Sequence, residues 1–315
     1  MEETRIGLLF PGQGSQAVGM GRELAERFPE ARAVFEEADE ALGFALSKLC
    51  WEGLEDELTL TRNAQPALLT HSAAVWRVLE KEGIEVVAAA GHSLGEFSAY
   101  FAAGSLDFAD AVRTVRRRGE LMFRSGEQRP GTMAAVLGLA DEIVDGVCAE
   151  ASSDDSVVVA ANFNSPGQVV VSGDVAAVER ASPMLISAGA KKVAGLNVSG
   201  AFHSPLMAVA EAELQEQLDS AGFRDPIFPV ISNVTAQPVS EAAEARELLV
   251  RQLTSAVRWT DSVRTMLELG VTGFLEIGPG KVLTGMLKRI DRAAEGRGTP
   301  LGTADAIEAF LQSRG

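Results

Sequence analysis

An uninterrupted apolar run over residues 6–10 stops at Pro11-Gly12, and with Arg5 it predicts a buried strand over 5–10. A glycine-rich turn at 11–14 and a helix of mixed charge over about 19–28 follow. Helical spacing then prevails to about residue 82, with apolar positions such as Leu68, Leu69, Val75, Val78 and Leu79. Residues 85–90 form a second short apolar run closed by Gly91, as expected of a parallel strand covered on both faces. A helix rich in alanine and aromatic residues occupies 94–103 and stops at Gly104.

A different rhythm begins near residue 130. Strands are predicted over 132–139, 157–163, 168–172 and 192–198, with helices over 141–151 and 175–188 and a turn at Asn164-Ser-Pro-Gly167. The order β-α-β-β-α-β within about 70 residues is that of a split βαβ, ferredoxin-like unit. Pro183 should kink or delay the second of these helices. After residue 200 the pattern returns to helices over 211–221, 244–252 and 262–269, strands over 228–232 and 273–277, and a basic helix from Gly278-Pro-Gly280 to about Arg292. The expectation is an α/β fold whose large domain comprises residues 1–128 and 200–315, interrupted by a small domain over 129–199. Residues 295–315 contain a glycine-rich link and an amphipathic end of unassigned role.

Composition narrows the function classes. The chain has 315 residues, 46% apolar and 23% charged, with a net charge of −16, which argues against gripping nucleic acid or anionic lipid. No apolar stretch reaches the roughly 18 residues of a membrane span, and the first apolar run is too short for a secretion signal. A cytoplasmic protein is expected, and the Asn-x-Ser/Thr matches at Asn197 and Asn233 are read as chance. Only two cysteines occur, Cys50 and Cys148, too few and too far apart for a disulfide framework or a metal pair.

The sharpest chemical signal is Gly91-His92-Ser93-Leu94-Gly95, a G-x-S-x-G set between a predicted strand and a predicted helix. Such a turn exposes the Ser93 hydroxyl at a helix N-terminus, where free N–H groups favour negative charge. The bland alternative is a glycine-rich turn with a capping serine. A serine needs a base, and only His71, His92 and His203 exist. His71 lies mid-helix and His92 adjoins the nucleophile on a tight turn, so elimination leaves His203, in a loop before a helix. No aspartate between serine and histidine is suitably placed to complete a triad, which weakens a simple esterase reading.

The loop Phe10-Pro-Gly-Gln-Gly-Ser-Gln-Ala17 fits a loose dinucleotide fingerprint, with Glu36 and Glu37 about 20 residues on. The helices that occupy residues 21–82 leave no tight βαβ continuation, and no Gly-Lys-Ser/Thr follows for a phosphate loop. There remains a loop whose backbone approaches something closely, with Gln13 as a donor.

Seven blocks in one order resemble the malonyl-CoA:acyl carrier protein transacylase family over about residues 5–290. They are Pro11-Gly-Gln-Gly-Ser-Gln16, Gln65-Pro-Ala-Leu-Leu-Thr70, Gly91-His-Ser-Leu-Gly-Glu96, Arg116-Arg-Arg-Gly119, Asn162-Phe-Asn-Ser-Pro-Gly-Gln168, Ala201-Phe-His-Ser204 and Glu276-Ile-Gly-Pro-Gly280. The resemblance implies an α/β-hydrolase-like large domain with a ferredoxin-like insert, and malonyl transfer from coenzyme A to a carrier thiol through Ser93. It further implies that the backbone carbonyl of Gln252 orients His203, that the N–H groups of Gln13 and Leu94 form an oxyanion hole, and that Arg118 pairs the malonyl carboxylate. Gln65 and Asn162 match substrate-binding positions, and Phe202 matches the bulky residue of members that exclude methylmalonyl. Neither metal nor organic cofactor is implied, coenzyme A entering only as the thioester substrate.

The expected partners are malonyl-CoA and acyl carrier protein, with the enzyme a monomer that binds neither nucleic acid nor membrane. Because the carrier is acidic in this family, docking on a −16 protein requires local basic residues. Lys191, Lys192, Lys281, Lys288, Arg289 and Arg292 are the candidates. Three other readings stay open: an acyltransferase serving a polyketide synthase, a serine esterase or thioesterase, and a non-catalytic carrier-binding scaffold.

Overall fold

The computed structural model describes residues 5–314. Its larger sheet holds β1 (Ile6–Phe10), β2 (Val86–Gly91), β7 (Val230–Ile231), β8 (Pro238–Val239), β9 (Gly273–Glu276) and β10 (Gly298–Pro300). The smaller holds β3 (Gly131–Leu137), β4 (Val158–Ser165), β5 (Gln168–Asp174) and β6 (Lys192–Gly195). The larger order is β10-β9-β1-β2-β7-β8, parallel throughout except for the β7–β8 pair at one edge.

All five residues of β1 are buried, because alternate side chains enter separate cores. Leu8 and Phe10 pack with the long helices Thr61–Leu79 and Phe108–Gln128, whereas Leu9 packs with Trp259, Val263 and Phe274 on the opposite face. The unbroken apolar pattern of the strand thus reflects a sheet sandwiched between helices. The smaller sheet runs β4-β5-β3-β6, wholly antiparallel, and backs onto helices Asp141–Ala151 and Val175–Ser187 through a valine-rich core.

Several boundaries differ from the sequence expectation for local reasons. The first helix is Arg22–Arg27 rather than 19–28, since Gly19 and Gly21 adopt positive φ and Pro29 opens the next helix. The helix through Pro183 is continuous over Val175–Ser187, so the expected late start does not occur. β4 runs on to Ser165, leaving only Pro166-Gly167 as the turn, and β6 ends at Gly195. The strand expected over 228–232 shortens to Val230–Ile231, while β8 and β10 were not anticipated. The chain's end supplies β10 and helix Ala304–Gln312, which is tied back through ion pairs from Arg27 to Asp305 and Glu308.

The turn joining β2 to helix Gly95–Ala102 is sterically closed. A Cβ on Gly91 would lie 1.8 Å from the Gly95 carbonyl carbon, and one on Gly95 would lie 2.1 Å from the Phe10 carbonyl oxygen. Those are backbone neighbours that cannot rotate away. Gly146, exposed in helix Asp141–Ala151, meets nothing within 4 Å. Thermal unfolding should separate the two: Gly95→Ala is expected to destabilise by about 3 kcal/mol or more, and Gly146→Ala to stabilise by roughly 0.5–1 kcal/mol. Equal responses would show that the turn is not closed as described.

Candidate active site

Ser93 sits at φ 51, a left-handed conformation that serine rarely adopts. Only three non-glycine residues among those described have positive φ, and His203, at φ 57, is another. Such strain persists where the surroundings over-determine it. Here the Ser93 N–H donates to Asn233 Oδ1 at 2.7 Å, and Asn233 Nδ2 donates to the Gly91 carbonyl at 2.7 Å. Asn233, just beyond β7, thereby staples the turn from outside.

The Ser93 hydroxyl lies 2.7 Å from His203 Nε2. His203 Nδ1 lies 2.8 Å from the backbone carbonyl of Gln252. A carbonyl only accepts, so Nδ1 carries the proton and Nε2 is left with a lone pair facing the hydroxyl. The carbonyl is available because Gln252 caps the end of helix Ala242–Arg251, where the last carbonyls have no intrahelical donor. A helix end thus does the orienting that the absent aspartate would have done.

Arg118 is the single member of its arginine run that is buried. Arg116 pairs with Glu120, and Arg117 with Glu213, at the protein surface. From helix Phe108–Gln128, Arg118 donates from Nη1 to Gln65 Oε1 at 2.8 Å and from Nη2 to Gln252 Oε1 at 2.8 Å and Ser93 Oγ at 3.2 Å. Its Nε–H has no partner, and its guanidinium carbon stands 5.5 Å from the centre of the Phe97 ring. Burial pushes its pKa down to about 10, partly opposed by the nearby Glu96 charge, so it stays charged at neutral pH.

These groups face a cavity of about 480 Å³, whose lining also includes Gln13, Gln65, Leu94, Asn162 and Phe202. The N–H groups of Gln13 and Leu94 donate to no backbone or side chain and remain open to a ligand, while the Gln13 side chain is held by Thr61 at 3.1 Å. The wall beyond Ser93 comes from the smaller sheet, through Met133, Ala135, Asn164 and Val170. Helix Val282–Ile290 adds Leu283 and Met286, its N-terminus fixed by the Glu276 carboxylate, which accepts from the N–H groups of Leu283 and Thr284.

Burial, reinforced by the Arg118 charge, pushes His203 down to about 3. Burial likewise lowers His71, to about 4, and lowers His92. His71 faces Gly302 O at 3.1 Å and His92 faces Asn164 Oδ1 at 2.8 Å, both away from Ser93. Lys191, Lys192, Lys281, Lys288 and Arg289 are exposed and touch no catalytic atom. Sequence reading missed Asn233, Asn164 and Glu96. A polar residue just past a parallel strand marks Asn233, and a lone carboxylate in an alanine- and aromatic-rich helix marks Glu96.

Residues 8–299 match the family model described as the acyl transferase domain. The malonyl CoA-acyl carrier protein transacylase of Bacillus subtilis is 49% identical over 289 residues, 92% of this chain and 91% of that protein. The crystal structure of an acyl carrier protein S-malonyltransferase from Vibrio cholerae is 43% identical with a TM-score of 0.93, covering 98% of this chain and all of that one. A malonyl-transacylase solved in complex with its type II PKS acyl-carrier protein is 41% identical with a TM-score of 0.92, covering 98% and 100% of the two chains. With its serine, imidazole and buried guanidinium around one cavity, the chain belongs to the acyl transferase family.

Proposed function

We propose that the chain transfers malonyl from malonyl-CoA to the phosphopantetheine thiol of acyl carrier protein through an ester on Ser93, supplying fatty acid synthesis. The observation that carries this reading is the fully desolvated Arg118 guanidinium 3.2 Å from the nucleophilic oxygen. A hydrolase acting on neutral acyl chains has no use for a buried cation there. A malonyl group ends in a carboxylate, which a guanidinium holds with two parallel hydrogen bonds.

In the first half-reaction His203 Nε2 takes the Ser93 proton as Oγ bonds to the thioester carbon. The N–H groups of Gln13 and Leu94 hold the oxyanion, a contribution of about 10²–10³ per donor in rate. The C–S bond then breaks and His203 returns the proton to the departing thiolate. The carrier thiol runs the same steps backwards. A carboxylate on Arg118 offsets the second of the causes that depress His203, after burial, so the base strengthens when the acyl group carrying that charge is in place. The cycle uses only the chain's own groups, without metal or organic cofactor, and Phe202 beside His203 limits room for a branched acyl group.

The parallel larger sheet with Ser93 on a strand-to-helix turn supports an α/β-hydrolase-like domain over 1–128 and 200–315. The β4-β5-β3-β6 order supports a ferredoxin-like domain over 129–199. For the carrier, Lys192 and Gln168 flank Leu137 in register, and Arg289 donates to Gln168 Oε1 at 3.2 Å beside the cavity. That row, with Lys191 and Lys281 near it in sequence, is the docking edge we favour for an acidic carrier. The type II PKS complex among similar structures sustains a polyketide carrier as the second reading.

Replacing Arg118 by Ala should lower kcat/KM for malonyl-CoA by about two orders of magnitude or more, as for a lost buried charge pair, while acetyl-CoA falls by roughly tenfold at most. Equal losses would remove the carboxylate role. Depressed pKa values keep the imidazoles neutral as pH falls through the ordinary histidine range. The ring protons of His71, His92 and His203, followed by NMR, should therefore show no protonation step near 6.5. A His203 midpoint at or above that value would contradict the buried, neutral base.

A further inference from the structure

Glu96 is wholly buried one residue past the elbow's second glycine, yet its side chain bonds neither to the Ser93 hydroxyl nor into the cavity. Its Oε2 accepts from Gln252 Nε2 at 2.6 Å and from the Asn233 N–H at 3.2 Å, while Oε1 has no partner. Gln252 joins three parts of the site: its backbone carbonyl orients His203, its Nε2 also donates to the Ser93 carbonyl at 3.0 Å, and its Oε1 accepts from Arg118.

A side-chain amide can present either end, and the two ends would treat Arg118 in opposite ways. With Oε1 toward the guanidinium it accepts a charge-assisted hydrogen bond; flipped, it sets N–H against N–H in a dry site. Something must fix the choice. The shortest of the bonds that hold the NH₂ end of Gln252 runs to Oε2 of Glu96, an acceptor itself held by a backbone N–H, with the Ser93 carbonyl as the longer second partner.

We propose that Glu96 is a positioning residue for acyl-group selectivity, locking the Gln252 amide so that its oxygen aims Arg118 across Ser93 toward the malonyl carboxylate. Both protonation states of Glu96 leave Oε2 an acceptor, so the role does not require its charge. An amide at position 96 serves equally, because the fixed Asn233 N–H forces its oxygen into the place of Oε2. Hydrocarbon at that position does not.

The inference rests on the malonyl-transfer reading, and the test separates them. In the full-length enzyme, kcat and KM for malonyl-CoA and acetyl-CoA are measured for Glu96→Ala, Glu96→Leu, Glu96→Gln and Gln252→Leu. Glu96→Ala and Glu96→Leu should raise KM for malonyl-CoA and lower the malonyl-to-acetyl ratio by about ten- to a hundredfold. Glu96→Gln should restore the ratio to within about threefold of wild type. Gln252→Leu, which keeps the backbone carbonyl, should lower the ratio like Glu96→Leu, and the double variant should be no worse than either alone. A ratio unchanged in Glu96→Leu, or lost equally in Glu96→Gln, overturns the proposal. Should the acceptor-less variants fail to fold, Glu96→Gln and Gln252→Leu still decide it. A wild-type enzyme without malonyl preference would instead sink the function itself.

Discussion

A guanidinium removed from water is costly unless its donors find acceptors, and the site is organised around meeting that demand at Arg118. Gln65 Oε1, Gln252 Oε1 and the Ser93 hydroxyl take three of its contacts, and the Phe97 ring lies under its charge. Each acceptor comes from a different element. The arginine therefore fixes the relative placement of helices Thr61–Leu79, Phe108–Gln128 and Ala242–Arg251 at the elbow. Burial, reinforced by the same charge, keeps His203 neutral, so substrate recognition and base strength share one group.

The fold brings these residues together by a general property of parallel sheets. Gln13 follows β1, Ser93 follows β2 and Asn233 follows β7, all at strand C-terminal ends, where open α/β sheets gather their sites. His203 and Phe202 arrive in the loop returning from the smaller sheet, whose inner face closes the cavity. Strain at Ser93 and His203 is thus held by rigid neighbours: glycines with no room for a Cβ, an asparagine bridging strand and elbow, and a helix end.

What was legible in the chain depended on how local its cause is. The elbow could be read because its chemistry is confined to five consecutive residues, and the imidazole because histidine is scarce. The orienting carbonyl of Gln252 could not be derived from residue type, since any helix end offers one; only family resemblance pointed to it. Arg118 could not be told from Arg116 and Arg117 by spacing alone, because burial is decided by distant helices. β8 and β10 are two and three residues long, too short for periodicity to show, and the helix through Pro183 continues despite a local rule against it. Asn233 and Glu96 act through other residues, so their importance appears only once the hydrogen-bond network is traced.

The central claim, an acyl ester on Ser93 held for transfer rather than lost to water, is open to direct measurement. Brief incubation with malonyl-CoA, acid quenching, intact mass and peptide mapping should locate one malonyl group on Ser93. Adding phosphopantetheinylated acyl carrier protein should then move that group to the carrier thiol. Modification at another residue, or release of free malonate with no labelled serine or carrier, would contradict it.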